Sequence, residues 1–249
     1  MPGYAYPLLV AAGFVAGFVN TLAGSGSLVT LPALIFLGLP AGVANGTNRV
    51  AILMQNVAAV GSFRSQKVFR LGEGLPLALP AVLGAFVGAR IAVELDEETM
   101  RQAIGVVMLL MAANVALKPK RWLTPRAGEA PKTGPLAMIG LFFAGMYGGF
   151  IQAGVGFFLL ACLVLGAGLD LLKANAVKVL IALSFNLVAL PVFFLHGQVD
   201  WKLGFVVGIG NALGALVATR LAVRRGVGFL RWFLLAVALA AGVALLLGL

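Results

Sequence analysis

The chain reads as a succession of apolar runs separated by short charged or Gly/Pro-rich breaks. In the first half the runs lie near Pro7–Leu22, Ser27–Leu37, Ala44–Phe63, Leu75–Val93 and Thr99–Leu117. A polar linker, KPKRWLTPRAGEAPKTG, extends from Lys118 to Gly134. The second half continues with Leu136–Ile151, Phe157–Leu169, Ala174–Leu195, Leu203–Val223 and Leu230–Leu249. Several runs reach or approach the ~20 residues that a helix needs to cross ~30 Å of hydrocarbon. They are continuously apolar and not alternating, unlike the strands of a membrane barrel. Backbone groups in lipid must be satisfied within the segment, so the predicted fold is an all-α polytopic membrane protein.

Shifting the sequence by about 130 positions superimposes one half on the other without a gap from Ala23 to Val93. Ala23-Gly24-x-Gly26 falls on Ala153-Gly154-x-Gly156, Ala44-Asn45 on Ala174-Asn175, Asn56 on Asn186, and Arg90 on Arg220. About 19 of about 71 positions agree, where this composition gives roughly a tenth by chance, so a duplication is expected. The repeats are residues 1–117 and 135–249, joined by the basic linker 118–134, which is expected in the cytoplasm.

Charge sets the direction of the two halves. The net charge is +10, but the basic residues collect in loops, as topology signals do, and a nucleic-acid reading is rejected. One loop holds Arg64, Lys67 and Arg70, a second is the linker, and a third holds Arg220, Arg224, Arg225 and Arg231. Glu94–Glu98 is acidic and His196–Lys202 nearly neutral. With the three basic loops in the cytoplasm, corresponding loops lie on opposite sides, and the repeats are inverted. Pro7–Leu37 and Leu136–Leu169 must then each return to the side they left. Ser27–Leu37 and Phe157–Leu169 are short for a span. Each repeat is thus expected to be a broken, re-entrant hairpin plus about three transmembrane helices, with both termini outside. A composition 61% hydrophobic and 10% charged, with mean hydropathy +1.06, agrees with a membrane chain. The N-terminus lacks a charged leader region, and its first helix is expected to be retained. The single cysteine, Cys162, excludes an intrachain disulfide or thiolate metal cage.

The breaks at Gly24-Ser25-Gly26-Ser27 and Gly154-Val155-Gly156 fall at the hairpin turns. Irregular backbone at membrane depth is tolerated only inside protein or along a wet cavity. Glycine permits the turn and a close approach to the backbone. Two helix starts with unpaired N–H groups, meeting near the midplane, would form an anion site between the repeats; close helix packing is the plain alternative. The candidate substrate contacts are Gly24, Ser25, Gly26, Ser27, Asn45, Asn48, Gln152, Gly154, Gly156, Asn175 and Lys178. Asn20, Thr47, Arg49, Asn56 and Asn186 would stand behind them. Asn45 and Asn175 would serve equally well as helix caps. Asn56 and Asn186 would bond across helices or to substrate. Arg49 and Lys178 taken singly favour snorkelling to the interface, with anion attraction as the alternative. The predicted spans have no Asp or Glu away from their ends. The chain offers no GxxxxGK[ST], no HExxH, and no nucleophile–His–acid set. No enzyme activity, cofactor or metal is expected.

At these residues the chain resembles the TauE/SafE family. The resemblance rests on a duplicated Gly-rich turn, a short apolar arm ending near Gly, and an Ala-led polar start to the next helix. Here these read AGSGSLVTLPALIFLGLPAGVANGTN and AGVGFFLLACLVLGAGLDLLKANAVK. It implies a bacterial-type inner-membrane carrier, with small sulfur-containing anions such as sulfite or sulfoacetate among its cargoes. The chain departs from the family pattern at Gly24-Ser25-Gly26 and Gly154-Val155-Gly156, where the family often has a glycine run, at Cys162 in place of a second Pro32, and at Val177-Lys178 in place of Thr47-Asn48. The expected function is therefore a secondary transporter, in the export direction, for a sulfur oxyanion or an organosulfonate or carboxylate. A passive anion channel and a non-transporting membrane scaffold are the alternatives. The expected partners are that anion and the lipid bilayer, with a homodimer left open.

Overall fold

The computed structural model describes residues 5–117 and 134–246. Residues 1–4, linker residues 118–133 and residues 247–249 lie outside them. All regular elements among the described residues are helical: α1 Ala5–Ala23, α2 Ser27–Phe36, α3 Ala41–Ser65, α4 Leu71–Val93, α5 Glu97–Leu117, α6 Pro135–Phe150, α7 Val155–Ala161, α8 Leu171–Leu195 and α9 Trp201–Leu246. A π-helical turn, Cys162–Gly166, continues α7. It begins at the position corresponding to Pro32, which lies inside α2. The two final sequence segments join into α9, which is broken at Gly226 (φ 68°, ψ −166°).

Among the described residues, four stretches are long and apolar enough to cross a membrane: Tyr6–Ala23, Leu71–Val93, Leu171–Leu195 and Trp201–Leu230. Large apolar side chains such as Leu79, Leu83, Phe86, Leu109 and Leu213 stand exposed on their outer faces, where lipid would cover them. α3 also has 25 residues, but it is less apolar because it carries Asn45, Thr47, Asn48, Arg49, Gln55 and Asn56. All six are buried, so its polarity points into the protein. α2 has 10 residues and rises about 15 Å, half the hydrocarbon thickness.

The halves match in conformation as well as in sequence. α3 and α8 have the same length, and their first residues differ by the same offset of about 130. Six residues in left-handed conformation form three pairs at that offset: Gly24 with Gly154, Gly38 with Gly168, and Lys67 with Gly197. The first pair turns the chain between α1 and α2 and between α6 and α7. The last pair closes α3 and α8 with one hydrogen-bond pattern, Val68 N to Phe63 O at 3.1 Å and Gln198 N to Phe193 O at 3.0 Å, in which the first residue beyond the cap is left-handed.

Packing is also matched. α1 lies along α9 and α6 along α4, both through glycine. A Cβ on Gly17 would sit 2.2 Å from the Asn211 carbonyl oxygen, and one on Gly145 would sit 2.0 Å from that of Ala81. Without side chains at the crossing, the backbones touch. The start of α3 meets the end of α8: Gly46 abuts the Gln198 carbonyl, and Asp200 N donates to Thr47 Oγ1 at 2.9 Å. Further along, Asn186 Nδ2 donates to Arg49 O at 2.8 Å. α3 and α8 therefore run in opposite directions.

Candidate functional site

The two Gly-rich turns meet in the interior. A Cβ on Gly24 would lie 2.3 Å from Gly156 Cα, and one on Gly156 would lie 2.3 Å from Gly24 Cα. Only a pair of glycines permits this approach. The turns are braced locally. Asn20 Oδ1 accepts from Gly26 N at 3.3 Å, and Tyr147 Oη donates to the Ala153 carbonyl. The first brace satisfies an N–H at the tip of the first hairpin that had been expected to face a ligand. The second comes from a tyrosine that sequence reasoning passed over, in an apolar run with no motif around it.

Two buried cations flank this contact. Arg49 is fully buried, and Lys178 is 3% exposed, so neither snorkels. Lys178 Nζ, from α8, donates to the carbonyls of Asn20 (3.3 Å) and Thr21 (3.0 Å) at the end of α1. Arg49, from α3, donates to the carbonyls of Gly148 (3.2 Å), Gly149 (2.5 Å) and Phe150 (3.4 Å) at the end of α6. Each half thus supplies the cation that caps the broken helix of the other. The last carbonyls of a helix lack intrahelical partners and bear its negative dipole end, and a cation answers both needs. The Arg49 guanidinium also lies 4.3 Å from the centroid of the Phe193 ring.

Beside the touching tips is a cavity of about 20 Å³, room for about one water. Six of the sequence candidates line it: Asn20, Gly24, Asn56, Gln152, Gly156 and Lys178. Gln55, next to Asn56 in sequence, is a polar wall residue missing from the candidate set; apolar walls include Ile52, Val155 and Leu159. A chain of side-chain bonds runs along one wall, from Asn20 Nδ2 to Gln55 Oε1 (3.0 Å) and from Gln55 Nε2 to Asn56 Oδ1 (3.4 Å). Asn56 Nδ2 and both polar atoms of Gln152 are buried without a protein partner.

Other candidates are occupied by protein. Asn48 Oδ1 accepts from Thr30 Oγ1 at 2.6 Å, and Asn48 Nδ2 donates to Ser27 Oγ at 3.2 Å, so Asn48 and Ser27 clamp α2 to α3. Thr47 holds the start of α9, and Asn186 bonds across helices to Arg49. Ser25, Gly26 and Gly154 belong to the turns without lining the cavity. Asn45 and Asn175 are not caps. α3 begins at Ala41 after Pro40, and α8 begins at Leu171 after Asp170, whose carboxylate accepts from Leu172 N and Lys173 N at 3.0 Å. Both asparagines lie a turn further in. Asn45 Nδ2 donates to Phe150 O at 2.8 Å, and Asn175 is buried with both polar atoms unpartnered.

Comparison with known proteins gives a consistent picture. The profile described as "Sulfite exporter TauE/SafE" matches residues 9–245. "Probable membrane transporter protein ORF9" of Sinorhizobium sp. is 31% identical over 239 residues, covering 96% of this chain and 91% of its own length. "Probable membrane transporter protein YfcA" of Escherichia coli K12 is 30% identical over 224 residues, covering 88% of this chain and 83% of its own. A "Probable membrane transporter protein" of Haemophilus influenzae is 29% identical over 225 residues, covering 88% and 86%. No solved structure matches the chain.

Proposed function

This chain belongs to the sulfite exporter TauE/SafE family of membrane transporters, and from that premise we propose that it is a secondary transporter for small anions. Its two repeats, 1–117 and 135–249, are inverted and rock around the Gly24–Gly156 contact. The cargo is a sulfur oxyanion or an organosulfonate or carboxylate, moved outward across a bacterial-type inner membrane. The observation that carries the reading is the meeting of the two glycine turns beside Lys178 and unpartnered amides, in a cavity whose walls, among the described residues, hold no carboxylate. The opposed course of α3 and α8 and the crosswise capping by Arg49 and Lys178 support the inversion.

In the conformation described, the cavity is too small for sulfite, and the tips are in contact. That suits an occluded stage of alternating access better than an open channel. An anion arriving between the tips meets a lysine already desolvated and held by two carbonyls. It competes with the end of α1 for that ammonium, which ties ligand binding to the position of α1. Arg49 keeps the end of α6 in place meanwhile.

The test is flux of labelled sulfite and small organic monosulfonates in proteoliposomes. Saturable exchange is expected, lost in Gly26→Leu, whose side chain would strike the Ala16 carbonyl 2.1 Å from its Cβ. Unitary currents in a planar bilayer would replace this reading with the channel.

A further inference from the structure

We infer that the cavity beside the glycine tips selects a monoanion that also carries a hydrogen-bond donor, and that Gln152 is the residue that reads the donor. The inference rests on the transport reading above and narrows its cargo class.

Charge comes first. Among the described residues Lys178 is the one ionisable side chain in the wall, and its ammonium meets the uncharged carbonyls of Asn20 and Thr21. Arg49, the other buried cation, lies outside the wall and is held by the carbonyls at the end of α6. The wall therefore presents a single positive charge. One negative charge neutralises it, whereas a dianion would bring an uncompensated charge into a buried place, a heavy cost.

Hydrogen bonding comes second. Gln152 is 3% exposed, and neither its Oε1 nor its Nε2 has a protein partner. A glutamine amide presents one acceptor and one pair of donors whichever way round it is built. The neighbouring Asn56 Nδ2 is a second unpartnered donor. An oxyanion without a proton satisfies Asn56, Lys178 and one end of Gln152. It leaves the amide oxygen of Gln152 facing further lone pairs. A ligand with an O–H satisfies that oxygen as well. Two sources share this chemistry: a singly protonated inorganic oxyanion such as hydrogensulfite, and an organic sulfonate or carboxylate bearing a hydroxyl.

The test uses the full chain in proteoliposomes with probes matched in charge. Ethanesulfonate and 2-hydroxyethanesulfonate differ by one hydroxyl. Sulfite is measured below and above its second ionisation, with 2-hydroxyethanesulfonate at the same pH values as the control for the protein. At limiting concentration the hydroxylated sulfonate should be transported at least about tenfold better, as expected of a site built to bond a hydroxyl. Sulfite flux should follow the hydrogensulfite fraction. In Gln152→Met the ratio of the two sulfonates should collapse towards one, through loss of the hydroxylated substrate's advantage. A ratio near one in the wild-type protein overturns the inference, and so does a Gln152→Met protein that keeps the wild-type ratio. If that variant fails to insert, the wild-type ratio decides alone. Absence of flux for all these anions in the wild-type protein would instead overturn the transport reading, and this inference with it.

Discussion

Gly156→Ala tests the tip contact with the smallest possible perturbation. The added methyl would lie 2.3 Å from Gly24 Cα and 3.2 Å from the Gly24 carbonyl carbon and oxygen. Carbon atoms in good contact sit about 3.5–4.0 Å apart, so the tips must separate by about 1.2–1.7 Å. Neither side can yield by turning a side chain, because the opposing atoms are backbone. Gly156 is not in a left-handed conformation, so alanine brings no local strain, and the cost falls on the contact between the halves. Overpacking of this kind costs about 1–3 kcal/mol. It applies only where the tips touch, so it shifts the balance between closed and separated conformations. With about 1.4 kcal/mol for each factor of ten, the ratio of closed to separated conformations falls roughly fivefold to a hundredfold. Steady-state exchange of sulfite in proteoliposomes should fall on that scale if each cycle passes through the closed form, while the yield of inserted protein stays near wild type. Gly24→Ala should be worse, since it adds strain at φ +82° to the same collision. Wild-type exchange and melting temperature in Gly156→Ala would refute the claim that the cycle passes through touching tips.

Two further predictions concern the helix ends. Lys67, at φ 58°, is left-handed where its partner in the other half is Gly197; Lys67→Gly should therefore raise stability by about 0.5–1 kcal/mol, read as a higher melting temperature in detergent, and a lower one would contradict the assignment of strain. Asp96 caps α5 by accepting from Thr99 N at 3.0 Å and Thr99 Oγ1 at 2.7 Å, and these bonds hold its carboxyl below the usual aspartate range. A depressed folded-state value means that the stabilisation is complete above about pH 4 and is lost as pH falls through the folded value. Measured against the intrinsic rate at each pH, the protection of the Thr99 amide from hydrogen exchange should fall over that acid range in the wild-type protein and hold steady in Asp96→Asn, which keeps the acceptor without the titration. Equal acid responses in the two proteins would remove Asp96 as the cause.

Much of this protein is local and was legible in the sequence. Continuous hydropathy marks helices in lipid, and the turns at Gly24 and Gly154 lie where the apolar runs break. At the offset that aligns the halves, Gly24 with Gly154 and Gly38 with Gly168 keep both residue identity and left-handed conformation. Lys67 with Gly197 keeps the conformation without residue identity, so sequence comparison does not reveal that pair. Gln152, Asn56 and Lys178 were recognisable as costly polar groups in apolar surroundings. Which of those groups keeps its hydrogen-bonding capacity free, and which is spent on the fold, was decided by tertiary structure alone. Asn48 is consumed by Ser27 and Thr30, whereas Gln152 keeps both ends of its amide unpartnered. Arg49 and Lys178 look like interfacial anchors until each is placed against a helix end from the other half of the chain. A hydropathy pattern records what one segment asks of its solvent. A buried donor is satisfied by whichever carbonyl lies within about 3 Å, and that neighbour is set by the packing of helices about a hundred residues away.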